Sequence, residues 1–252
     1  MNNTPTNNLF DIDTWYQQPI GKKVAQLEKQ QFNQLPRTLF GQSILQLGAQ
    51  THHNWLKSHN GYHLILATAH QPPAKSLYHL QCAYTELPFP PNSFDTIVLP
   101  HVLEFAAHPK IIITESWQAL APEGHLIILG FNPLSLNNFW YLFDKTKLSL
   151  PQQTKFYSYN KIYQWLKNDY YEIVYTHNFC YLPLLPQSES IIKSSAFEKF
   201  ATWLLPNCGG IYLLVLKKRV IPLTPLRLRW QWREIFNDKN LTEPAAGNVH
   251  RE

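Results

Sequence analysis

Seven short apolar runs, bounded by glycine, proline or polar residues, constrain this chain more than any other feature. They are Ser43–Leu47, His63–Ala67, Leu77–Cys82, Phe94–Leu99, His125–Gly130, Tyr171–Tyr175 and Ile211–Leu216. The stronger ones are continuously apolar rather than alternating. That pattern suits strands buried on both faces of a sheet. Helical segments precede and separate the early runs. From Thr14 to Leu35, the residues Val24, Leu27, Gln31 and Leu35 recur at helical spacing, and Pro36 closes the segment. Residues 109–120 open on Pro109 and place Ile112, Ser116, Ala119 and Leu120 on one face. Strands alternating with helices predict an α/β domain with a mostly parallel sheet covered on both sides.

The second half is less regular. Tyr159, Ile162, Tyr163 and Leu166 predict a short helix, and Ile192, Ala196, Lys199, Phe200 and Trp203 another. Leu87–Ser93 carries three prolines and reads as a loop, and Ala121–Gly124 as a turn. The expected organisation is a lead over 1–12, one domain over 13–218, and a basic, irregular tail over 219–252. Within the domain, 131–157 reads as an aromatic insertion and 182–208 as a second one.

Composition narrows the class. Hydrophobic residues make up 44% of the 252 and charged ones 15%, which suits a folded domain and argues against global disorder. Cys82, Cys180 and Cys208 are odd in number and far apart, so neither a disulfide framework nor a zinc site is expected. The adjacent His52 and His53 lack a matching third ligand, and no metal is expected. No apolar run approaches the ~18 residues of a membrane span, and the first residues do not resemble a signal peptide. A cytoplasmic location is the expectation. Between Lys217 and Arg233 stand six cations and no acid, which reads as a solvated basic tail or a contact for nucleic acid or another anionic surface.

Two segments carry a family resemblance. One is Leu87-Pro-Phe-Pro-Pro-Asn-Ser-Phe-Asp-Thr-Ile-Val-Leu-Pro-His-Val-Leu-Glu-Phe105; the other is Ile113-Thr-Glu-Ser-Trp-Gln-Ala-Leu-Ala-Pro-Glu-Gly-His-Leu-Ile-Ile128. Together they resemble class I S-adenosylmethionine-dependent methyltransferases of the type 11, ubiquinone-biosynthesis-like branch. Glu104 matches the Glu of that branch's H-x-L-E-H, while Phe105 replaces its last His and Glu123 the first Gly of L-x-P-G-G. Trp15, Pro19 and Gly21, with Lys218-Arg219 and Leu223-Thr-Pro225, are similar to a small bacterial subgroup. The resemblance implies a seven-stranded, Rossmann-like, mostly parallel sheet with an antiparallel last strand, which agrees with the seven runs.

It also implies a cofactor, S-adenosylmethionine, held at the carboxyl ends of the strands. There the sequence departs from the pattern. The family's first motif, roughly D/E-x-G-x-G-x-G, falls on Gln46-Leu-Gly-Ala-Gln-Thr-His52: Gln46 replaces the acid, Gly48 survives, and Gln50 and His52 replace glycines. Thr68 stands near the missing acid of the second strand, and Ala83, followed by Tyr84, takes the place of the third. Pro100 and His101 follow the fourth strand, where His101 is a candidate to orient the cofactor or act as a base, or to cap the strand. Losing two or three acceptors for buried hydroxyls could weaken cofactor binding about 100-fold.

Two functions follow as expectations. One is methyl transfer with relaxed cofactor contacts to an unidentified acceptor, a small molecule being favoured. The other is a non-catalytic, regulatory or binding protein, a pseudoenzyme that kept the fold.

Overall fold

A computed structural model describes residues 12–49, 56, 63–69, 79–135, 154–167, 170–181 and 207–220. Expectations for the lead before Ile12, the helix around Ile192–Trp203, most of both insertions and the tail beyond Val220 fall outside them. Among the described residues no helix is long and apolar enough to cross a membrane.

The seven apolar runs are seven strands of one sheet: β1 Ser43–Leu47, β2 His63–Thr68, β3 His79–Gln81, β4 Phe94–Pro100, β5 Leu120–Phe131, β6 Tyr171–Phe179 and β7 Ile211–Lys218. Their order is β3-β2-β1-β4-β5-β7-β6. β1 to β5 pair in parallel, whereas β7 runs antiparallel to both β5 and β6. Alternate strand residues feed two cores. Ile44, Val98, Ile127 and Leu129 face one side with Val24 and Phe32. Leu45, Ile97, Leu99, Leu126 and Ile128 face the other with Ile112, Ile113, Trp117 and Ile162. Burial on both faces is why these strands read as continuous rather than alternating.

The first helical segment is two helices, not one: α1 (Ile12–Gln17) and α2 (Pro19–Gln34). Pro19 lacks the N–H needed to continue a helix, and Gln18 before it is extended, so the chain turns a corner there. Gly21 makes that corner close. A Cβ built on it would lie 2.1 Å from the Trp15 carbonyl oxygen and 2.7 Å from Tyr16 Cα. Ile12, expected in the lead, is buried as the first residue of α1.

α3 (Pro109–Ala119) crosses from β4 to β5, and α4 (Tyr159–Trp165) packs beside it. The expected turn at Ala121–Gly124 is instead a bulge inside β5. Phe94 pairs with Leu120 and Thr96 with His125, so the intervening residues are pushed out of register, with Glu123 at φ +61°.

The first cations of the expected basic tail pair within the domain as far as the described residues reach. Lys218 donates to the carbonyls of Trp117 (2.8 Å) and Leu120 (2.6 Å), closing the end of α3. Lys217 pairs with Glu123 at 3.0 Å, and Arg219 bridges Glu123 and Glu172. Arg227, Arg229 and Arg233 lie outside the described residues.

Candidate functional site

Open α/β sheets bind ligands where strand order reverses, outside the carboxyl ends of the strands. Here that point lies between β1 and β4, since the order runs outward from β1 to β3 on one side and from β4 to β5 on the other.

At the end of β1, Gln46 is fully buried, and its amide donates to the carbonyls of Gly48 (3.0 Å) and Ala49. An ionised acid could not donate these bonds, so glutamine holds this turn closed in a way the family's carboxylate does not. Its other atom, Oε1, is buried without a hydrogen-bond partner among the described residues. Gly48 sits at φ +66°, where a side chain is strained, and its N–H donates to Ala67 of β2 at 2.8 Å. A Cβ on Gly48 would meet Val102 at 3.2 Å and the Tyr84 hydroxyl at 3.4 Å.

Tyr84 reaches across from the loop after β3. Its hydroxyl oxygen accepts the Ala69 N–H at 3.1 Å, just beyond β2. Burial pushes this phenol up to about 12, so it stays neutral at ordinary pH. Thr68 is buried beside it, and Ala83 is exposed. The carboxyl ends of β1 and β2 are thus bridged by one tyrosine. Gln50, His52 and His53 lie outside the described residues. No group of three or more potential metal ligands occurs among those described.

Beyond β4, Pro100 is buried and His101 takes a left-handed backbone at φ +52°, uncommon for a residue with a side chain. Both ring nitrogens are engaged. Nε2–H donates to Glu28 at 2.7 Å, and Nδ1–H donates to Glu104 at 3.2 Å. Burial alone would lower its pKa, but the two carboxylates outweigh burial and raise it to about 9. The ring is therefore an imidazolium at neutral pH, held between two acids. Tyr16 of α1 donates to the second oxygen of Glu28 at 2.9 Å, and Glu104 also accepts the Phe131 N–H at 2.7 Å. The network ties α1 and α2 to the ends of β4 and β5.

Glu28 was not among the residues singled out from the sequence. It sits in a polar stretch, Gln26-Leu-Glu-Lys-Gln-Gln31, that reads as a solvated helix face. The available signal was its spacing: with Gly21, Val24 and Phe32 it forms the buried stripe of α2.

Comparison with other proteins bears on the fold. Residues 58–128 match the family described as a methyltransferase domain. An S-adenosylmethionine-dependent methyltransferase from Thermotoga maritima superposes with a TM-score of 0.59, at 14% identity, over 82% of this chain and 93% of its own. The chain has the fold of these methyltransferases. A curated relative of the methyltransferase-fold chain is an uncharacterized protein, YafS, of Escherichia coli strain K12, 24% identical over 84% of this chain and 83% of that protein. The cyclase SpnF has the same fold, with a TM-score of 0.53 at 15% identity over 80% of this chain and 83% of that one. Fold membership therefore leaves the reaction to be argued from the site.

Proposed function

We propose that this methyltransferase-fold chain is an S-adenosylmethionine-dependent methyltransferase. The reading is carried by the turn after β1. Gly48 keeps the left-handed backbone that a side chain disfavours, and Gln46 beneath it retains a buried acceptor with no partner among the described residues. A cradle where a Cβ is both crowded and strained, beside an open acceptor, fits a ligand that brings hydrogen-bond donors close to backbone. Gln46 and Gly48 would hold the methionine end. Thr68 and Tyr84, with Ala83 adjoining, would face the nucleoside. Pro100 and His101 would border the transferred group. S-adenosylmethionine supplies a methyl group already activated on sulfur, so the chain's task is to position it and exclude water. His101, held by two carboxylates, acts here as a positioning residue that fixes the β4 end.

Calorimetric titration of the full chain with S-adenosylmethionine tests this. Saturable binding is expected, and Gly48→Val should weaken it by at least about tenfold, through both contact with Val102 and a strained φ. Circular dichroism checks that the variant is folded. Absence of binding to the wild-type chain at millimolar ligand would end the reading. Unchanged affinity in the variant would move the site away from β1.

One observation favours the non-catalytic alternative. The Tyr84 hydroxyl occupies the space over Gly48 and already binds the Ala69 N–H. If the cofactor competes for that position, Tyr84→Phe frees the Ala69 amide and tightens binding severalfold. The same Kd in both proteins would show that Tyr84 does not stand in the cofactor's way.

A further inference from the structure

The Glu28–His101–Glu104 cluster leaves one buried oxygen unsatisfied among the described residues. Two acidic side chains flank the His101 ring. Glu28 uses both oxygens, one toward His101 and one toward Tyr16. Glu104 does not. Its Oε1 accepts from the Phe131 N–H and from His101, but its Oε2 is buried with no hydrogen-bond partner among the described residues. The residue is 3% exposed. Among the described residues, His101 is the only cation in ion-pair range of it. Buried carboxylate oxygens in folded proteins are met by a donor, an ion or a ligand.

The surroundings suit a cation. Glu104 follows β4 by four residues, at the carboxyl end of a central strand, where such folds bind ligands. The Phe131 ring lies 4.1 Å from that of His101 and packs against Phe156 at 5.8 Å. The charge of Glu104 also reaches the phenols of Tyr157 and Tyr212, although burial is the larger influence on both. A carboxylate in an aromatic-rich neighbourhood suits an organic cation, which is attracted by the charge and by any ring face it meets.

We propose that Glu104 Oε2 is the counter-anion for an organic cation bound at the carboxyl end of β4. Two ligands present that chemistry: the sulfonium of S-adenosylmethionine, and an alkylammonium group on the methyl acceptor. The sulfonium source rests on the methyltransferase reading; the alkylammonium source does not.

Four probes separate these cases by calorimetry on the full chain: S-adenosylmethionine, its uncharged-sulfur product S-adenosylhomocysteine, n-butylammonium chloride and n-butanol. Each is titrated into wild type and Glu104→Gln, which keeps an acceptor for the Phe131 N–H while replacing the other oxygen, and the charge, with an amide donor. The wild-type comparisons need no variant, and a melting curve confirms that the variant folds. If the sulfonium is the partner, S-adenosylmethionine binds at least about tenfold tighter than the homocysteine product, and the ratio falls to near one in Glu104→Gln. If the acceptor is the partner, butylammonium binds saturably, butanol does not, and Glu104→Gln abolishes the difference. No preference for either charged probe, or a preference that survives Glu104→Gln, overturns the proposal. Should neither sulfur compound bind while butylammonium does, the methyltransferase reading fails and the cation site stands.

Discussion

Glu28→Leu is expected to lower the thermal midpoint by on the order of 10 °C near neutral pH, and by clearly less at about pH 10. Removing one partner of a buried ion pair costs about 3–5 kcal/mol, because the other partner is left unsatisfied. In a chain of this size each kcal/mol moves the midpoint by about 2–4 °C. Here the change strips the donors His101 and Tyr16 of their shared acceptor. The pH dependence follows from His101. Its pKa rises from 6.5 to about 9. A raised value means that the imidazolium stabilises the fold fully below pH 6.5 and loses that contribution as pH climbs through about 9. At about 1.4 kcal/mol per unit, the contribution is roughly 3 kcal/mol. Glu28 contributes most to raising it, so the variant and wild type converge as the ring deprotonates. Melting curves from neutral pH to about pH 10 read this directly. A constant gap across the range would place the stabilisation outside the imidazolium.

Gly21→Ala sets two effects of opposite sign against each other. Gly21 lies in the first turn of α2, where helix propensity alone would favour alanine by up to about 1 kcal/mol. The added methyl group would lie 2.1 Å from the Trp15 carbonyl oxygen and 2.8 Å from the Trp15 carbonyl carbon. Both are backbone atoms, so no side chain can rotate aside, and α1 must lift from α2. Trp15 is fully buried and packs edge-on against Tyr16 and Phe131, so lifting α1 opens a large part of one core. Overpacking of this kind costs about 1–3 kcal/mol or more. We expect net destabilisation of about 2 kcal/mol or more, with a weaker near-ultraviolet tryptophan signal. An unchanged or higher midpoint would mean that the corner yields at little cost.

These two positions show what the sequence made legible. The sheet was readable because its strands are buried on both faces, which leaves an unbroken apolar signature; Ser43–Leu47 was located to the residue. The bulge in β5 was not readable. Ala-Pro-Glu-Gly has the local chemistry of a turn, and only the alignment of Thr96 with His125 keeps the strand running through it. The break at Pro19 is hidden because the apolar spacing of α2 continues backward across it. In the site, Gln46, Gly48 and His101 were found through their places in motifs. The role of His101 could not be read the same way. It depends on Glu28, 73 residues earlier, and a motif holds no information about a partner so distant in sequence. The Trp15, Pro19 and Gly21 pattern, noted as a resemblance, has a structural reason in the close approach of two helices.

The sheet order also governs how this chain comes to be folded as it is made. β5 ends at Phe131, but the strand that covers its edge, β7, begins only at Ile211. At about 5–20 residues per second, the roughly 80 residues between them take about 4–16 seconds to synthesise. Throughout that interval the nascent half-sheet presents the unpaired backbone of an apolar strand, Leu126-Ile-Ile-Leu129, to its surroundings. During that interval edge-to-edge association of the half-sheet competes with completion of the fold.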